Sequence, residues 1–134
     1  MIEQDIESRA DIETLLQQFY GKALTDPVIG YFFTEVVPLN ITTHIPVIAD
    51  FWETILFGKA AYKGDAMKVH RQIHQLSAFR DEHFKRWVEL FQGTVNELFA
   101  GPKAELAKQR AESIATLMRI KTVHGALHRS NKII

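Results

Sequence analysis

In the stretch MKVHRQIHQ two histidines, His70 and His74, stand one helical turn apart in a chain that contains no cysteine. Residues four apart on a helix project from one face, with their Cβ atoms about 5 to 6 Å from each other. Such a pair could grip a metal, hold one face of a flat cofactor, or decorate a solvated surface. The zinc helices of metalloproteases need a glutamate directly after the first histidine as general base, and here Arg71 stands there, followed by Gln72 and Ile73. A zinc site using His70, His74 and a carboxylate such as Glu82 therefore has the spacing for ligation without the base for hydrolysis. The absence of cysteine excludes disulfides, thiolate zinc sites and thiol nucleophiles.

Three other positions carry a polar group on an otherwise apolar face. Tyr20 lies on the buried stripe of a long amphipathic segment, where its hydroxyl needs a partner or costs about 1 to 3 kcal/mol. His44 stands at the opening of the most apolar segment of the chain, and the positive end of a helix dipole there disfavours the imidazolium. Trp87 belongs to the stripe of a third long segment. Each has an ordinary explanation when taken alone: a tyrosine bonded to a carbonyl, a histidine at a helix start, an indole in a core.

Several helices are needed to position them. Between Asp11 and Leu24 the apolar residues Ile12, Leu15, Leu16, Phe19, Tyr20, Ala23 and Leu24 repeat at helical spacing. Asp26-Pro27 stops that helix, and VIGYFF follows as a short helix or turn. A second helix is expected to start around His44, with Thr42 or Thr43 as N-cap and Pro46 in its first turn. Its stretch VIADFWETILF is apolar nearly all round, so it should be covered on both sides, or have one side against the protein and the other against something else that is apolar. Gly58 through Asp65 reads as a loop, with Asp65 capping a short helix that carries His70 and His74. From Asp81 to Phe99 the stripe Phe84, Trp87, Val88, Phe91, Val95, Leu98 and Phe99 predicts another helix. Gly101-Pro102 then opens a last one, built on Leu106, Ala107, Ala111, Ile114, Ala115, Leu117 and Met118. After about Val123 the stripe is lost and the tail is expected to fray. With no strand signal, the fold class is all-α, with about six helices.

At 134 residues, 46% hydrophobic and 24% charged, the sequence fits one globular domain over 1–134, with its core at about 5–122 and a tail at 123–134. Sixteen basic residues balance sixteen acidic ones, which leaves no electrostatic footprint for nucleic acid or an anionic membrane. No signal peptide or membrane span is apparent, so a soluble cytoplasmic protein is expected.

Taken in order, the segments DIETLLQQFYGKALTD, IGYFF, HIPVIADFW, YKGDAMKVH and EHFKRWVELFQGTVNELF resemble the group III truncated haemoglobins, bacterial globins shortened at their first helices. The resemblance covers nearly all of residues 5–120. It implies a truncated globin fold, a helical sandwich around haem b, with iron held by one proximal imidazole. His70 is the implied ligand, in the pattern Y-x-G-x-x-x-x-x-H, and His74 is the alternative. The segment IHQLSAF departs from the family in lacking the proline usual after the proximal histidine, which touches that choice. By the same resemblance Phe33, or else Phe32, wedges the haem. Tyr20 points its hydroxyl into the distal pocket, His44 is the distal histidine, Ile48 closes the roof, and Trp87 offers a second N–H donor. Dioxygen binding is the implied function, with nitric oxide or peroxide chemistry as extensions and a reductase as the partner that keeps iron reduced. A helical sensor or interaction domain on the same scaffold without haem is the competing reading.

Overall fold

The computed structural model describes residues 4–31, 33–34, 40–59 and 80–133, with side chains placed as far as Ile120. Four helices make up most of the described residues: α1 over Arg9–Ala23, α2 over Ile41–Phe57, α3 over Asp81–Leu98 and α4 over Pro102–Ile133. The histidine segment expected between α2 and α3 lies outside the described residues.

Each boundary has a chemical cause. Ser8 caps α1, its hydroxyl accepting from the Asp11 N–H at 3.3 Å. The helix ends ahead of Asp26-Pro27, and the chain turns back so tightly that a Cβ on Gly30 would meet the Leu24 carbonyl oxygen at 2.8 Å. α2 starts at Ile41, three residues earlier than the sequence suggested. Asn40 rather than a threonine is the extended N-cap, its carbonyl accepting from the N–H groups of Thr43 and His44. Pro46 therefore sits one turn inside the helix, where it withholds an N–H from the Thr42 carbonyl. Gly58, with φ of 69°, ends α2 in the left-handed conformation that favours glycine.

α4 begins at Pro102, as the Gly101-Pro102 signal predicts. Its first amides are capped from far away: Asp5 accepts from Lys103 N at 2.9 Å and Ala104 N at 2.8 Å. Gly101 has φ of 142° and packs so closely on Asp5 that a Cβ would stand 2.6 Å from its carboxyl carbon. Burial pushes the Asp5 carboxyl up, but the three N–H groups it accepts from and the Lys103 charge outweigh that and hold it below its ordinary value. At the other end α4 continues to Ile133, past Val123 where its apolar stripe is lost. No proline follows Pro102 in the sequence, so the loss of an apolar stripe removed packing partners without supplying a stop.

α1 packs on α2 and α3, and α3 packs along α4. Their shared core is aromatic. Phe19 meets Phe91 edge-on at 5.5 Å, and Phe91 is stacked between Trp52 at 5.0 Å and Trp87 at 5.8 Å. Along α4 the contact face is small, with Ala104, Ala107, Ala111 and Ala115 buried, which lets the helix approach closely. Leu117, expected on that stripe, is 45% exposed, because Met118 takes the inward position. Among the described residues no helix is long and apolar enough to cross a membrane.

Candidate functional site

The inward face of α1 ends in Phe19 and Tyr20, both buried by the same helical register that buries Leu15, Leu16 and Ala23. The Tyr20 hydroxyl oxygen lies 2.8 Å from Nε2 of His44, in the first turn of α2. The two rings stand nearly perpendicular at 81°, with centroids 5.2 Å apart. Phe33 closes the Tyr20 ring from another side, edge-on at 6.2 Å. Burial pushes the phenol well above its ordinary pKa and the imidazole below its own, so both groups are neutral at pH 7. One proton is shared between them, and either atom can be the donor, depending on the histidine tautomer.

α2 explains why a polar pair sits beside an apolar body. At 3.6 residues per turn His44, Val47, Ile48, Phe51 and Ile55 fall within an arc of roughly 100°. Ile45, Ala49, Trp52 and Leu56 point to the neighbouring arc and are buried in the core. The first arc is less covered: Val47 is 49% exposed, and Phe51 and Ile55 are half-buried, although Ile48 is 8% exposed and belongs to the core. This face is apolar except for one imidazole.

Trp87 lies one ring away from the pair. It meets Phe19 edge-on at 6.1 Å, and Phe19 in turn meets Tyr20 at 5.0 Å. The structure thus brings His44 and Phe33 each into contact with Tyr20 and sets Trp87 behind Phe19. Phe32, His70 and His74 lie outside the described residues. Glu82, the carboxylate of the zinc alternative, has one oxygen 3.9 Å from His83 Nε2.

Two groups of site-framing residues escaped the sequence reading. Asp26 is 8% exposed; its Oδ2 accepts from the N–H groups of Val28 at 2.9 Å and Ile29 at 3.1 Å, and its Oδ1 takes Nε and Nη2 of Arg86 at 2.9 and 2.8 Å. Burial pushes this carboxyl up, but Arg86 and the two amides prevail and hold it below its ordinary value. Asp-Pro was legible as a turn, whereas the partner sixty residues on carried no signal. At the start of α1, Arg9 bonds Glu53 at 2.6 Å, Glu13 at 2.9 Å, the Pro46 carbonyl at 3.1 Å and the Asp50 carboxylate. Glu53, inside the apolar run of α2, is the buried residue of that cluster, and the Arg9 hydrogen bond keeps it ionised below its ordinary range despite burial.

An all-helical chain whose first helix crosses two others around an aromatic core, with a tyrosine and a histidine meeting at the crossing, has a truncated globin fold. The crystal structure of a group III truncated haemoglobin from Campylobacter jejuni matches it with a TM-score of 0.76 and 25% identity, covering 90% of this chain and 95% of that one. In sequence the chain is 28% identical over 112 residues to the group 3 truncated haemoglobin ctb of Campylobacter jejuni, a match spanning 81% of this chain and 86% of that protein. No protein-family model matches the sequence. The two likenesses bear out the resemblance to group III truncated haemoglobins and support a globin family for this chain.

Proposed function

We propose that this protein is a single-domain truncated globin that holds haem b against the half-covered face of α2 and binds dioxygen there. The observation that carries the reading is the neutral Tyr20–His44 pair, 2.8 Å apart, at the end of an apolar helix face. Those residues suit a porphyrin: Val47 and Phe51 offer apolar area for a macrocycle, the buried Ile48 is the proposed roof, and Phe33 stands beside the phenol. When bound, haem supplies a ferrous iron that takes diatomic ligands reversibly. His70 is the proposed iron ligand and His74 the alternative, since a haem would leave its iron room for one proximal imidazole only.

The chain itself supplies the proton donors. A phenol has one donor hydrogen and can accept as well, so Tyr20 can take a hydrogen bond from Nε2–H of His44 while giving its own proton towards a ligand. Aligned donors polarise one another, and a hydrogen bond to a ligand oxygen bearing partial charge contributes about 1.5 to 3 kcal/mol. Trp87, behind Phe19, is the proposed second donor. Turnover with nitric oxide or peroxide would use the same donors, and either reaction calls for a reductase as partner.

Absorbance spectra of the purified protein in ferric, ferrous and carbon monoxide states test the reading. A Soret band that shifts between the three states is expected, and protein that stays colourless and rejects added hemin overturns it. His70→Ala is expected to lose haem or change the axial spectrum while His74→Ala keeps it, and the opposite pattern transfers the ligand role to His74.

A further inference from the structure

A single buried carboxylate links every element that carries a proposed pocket residue on the α1 and α3 sides. Asp26 accepts from two amides of the turn that leads to Phe33, and its own carbonyl accepts from Gly30 N–H at 2.9 Å. Its N–H returns to the Ala23 carbonyl at 3.2 Å, which holds the turn to the helix end just after Tyr20. On the other side Arg86 reaches the same carboxylate with two nitrogens, and Arg86 directly precedes Trp87. A surface ion pair contributes little to stability. This carboxylate side chain is 2% exposed and has both oxygens engaged, so it works as a rigid joint instead.

We propose that the Asp26–Arg86 pair is a positioning device that fixes the Trp87 indole relative to Tyr20 and Phe33, and so sets how strongly a bound diatomic ligand is polarised. The inference rests on the haem-globin reading above. Arg86 and Asp26 touch neither ligand nor cofactor; they act through Trp87 and through the turn. The guanidinium fork determines the direction of approach, because two nitrogens on one oxygen restrict rotation of α3 about its axis at that point. Losing the fork leaves the core contacts of Trp87 and Phe91 alone to set that angle, and the indole is the next side chain along.

Two substitutions separate the joint from the turn. Asp26→Asn keeps an oxygen for the Val28 and Ile29 amides and drops the charge that Arg86 needs. Arg86→Met keeps the apolar stem and the whole Asp26 turn. In protein labelled with 5-fluorotryptophan, each substitution is expected to move or broaden the Trp87 fluorine resonance while that of Trp52 stays in place. In the ferrous carbon monoxide form the C–O stretch is expected to rise, and oxygen release to quicken roughly threefold to tenfold, the scale of coupling through a residue that touches no ligand. Arg86→Lys, which keeps charge without the fork, should recover only part of both effects.

Haem-loaded variants with an unchanged Trp87 resonance and an unchanged C–O stretch overturn the proposal while leaving the globin reading intact, even if their thermal stability has fallen. Equal displacement of both tryptophan resonances also overturns it, because the pair would then be a general strut. Wild-type protein that takes up no haem defeats the globin reading and with it the proposed effect on a ligand.

Discussion

The two ends of α1 are both fastened to α2, by opposite kinds of chemistry. At the Arg9 end the fastening is ionic: one guanidinium meets Asp50, Glu53 and the Pro46 carbonyl, with a third of its surface in solvent. At the Tyr20 end it is a single, partly buried hydrogen bond between neutral groups, with Phe19 and Phe33 against the phenol ring. The ionic end has most of its donors engaged, with Nε, both hydrogens of Nη1 and one of Nη2 bonded, and the charges on both sides reinforce one another: hydrogen bonds to Asp50, Glu53 and Glu13 raise the Arg9 pKa, and Arg9 lowers that of Glu53. Its role is to hold, because moving any of these donors would leave a carboxylate without its partner. The neutral end needs little free energy to exchange partners, because a phenol can turn its proton from the imidazole to a ligand without leaving a buried charge behind. One helix thus has a clamp at its start and an exchangeable donor at its end.

The clamp should dominate stability. Arg9→Ala leaves Glu53 buried with Lys59 at 3.3 Å as its remaining cation among the contacts described here. A fully buried pair broken this way loses about 3 to 5 kcal/mol, and the exposure of Arg9 reduces that to about 1 to 3 kcal/mol. Urea unfolding would measure it. Because half-exposed charges are screened, the gap between wild type and Arg9→Ala should narrow in 1 M salt, where the Debye length is about 3 Å. A gap that does not respond to salt would mean that Arg9 works through the packing of its stem, and the contrast between the two ends would lose its basis.

The exchangeable end should matter less for folding and more for ligand. Tyr20→Phe removes one hydroxyl and one hydrogen bond, a net loss of about 0.5 to 1.5 kcal/mol in unfolding free energy. Its effect on the proposed oxygen complex should be larger, because a bond to a partly charged ligand oxygen in a dry pocket is stronger than one to an imidazole. Oxygen release measured by stopped flow is expected to quicken about tenfold to a hundredfold, the kinetic equivalent of about 1.4 to 2.8 kcal/mol. If release is unchanged while stability falls, the hydroxyl serves the fold alone and Tyr20 leaves the pocket.

Local features of this architecture were legible and long-range ones were not. The stripes of α1 and α3, the stop at Asp26-Pro27 and the start at Pro102 follow from periodicity and turn chemistry within a few residues, and the structure has them. Tyr20 and His44 were singled out because a polar group on an apolar face needs a partner, yet nothing in either segment said that each is the other's partner. The clamp was missed for the same reason: Arg9, Asp50 and Glu53 are ordinary charges until the helices cross. Asp5 is a sharper case, since an acidic residue in a polar N-terminal segment gave no sign that it caps a helix starting at Pro102. Where α2 begins was misjudged because Thr42 and Thr43 carry capping hydroxyls next to His44, whereas the cap is Asn40, a residue type well suited to that place, which here accepts through its backbone carbonyl with no side-chain cap hydrogen bond.

The smallest expected effect separates the two ends by pH. Burial holds the His44 imidazole below its ordinary value, so well above the ordinary histidine range it is neutral in both the folded and the unfolded chain and contributes no pH dependence. As pH falls through the ordinary histidine range, near 6.5, the unfolded chain takes up a proton that the folded one refuses, and stability declines until the folded value is passed. Glu53 of the clamp has the opposite starting point: it is held low by Arg9, so its contribution is complete above the ordinary carboxylate range, near 4, and is lost only below it. Urea midpoints measured from pH 7.5 to 5 should therefore fall more steeply in wild type than in His44→Gln, while Arg9→Ala runs parallel to wild type in that window. His83 is also held low, chiefly by burial and also by Arg80, against the pull of Glu82, so the comparison is made in a His83→Gln background. If the wild-type and His44→Gln curves stay parallel, His44 accepts its proton without leaving its place. Its contact with Tyr20 would then be a charged donor meeting a phenol oxygen, and the neutral end would be no more exchangeable than the clamp.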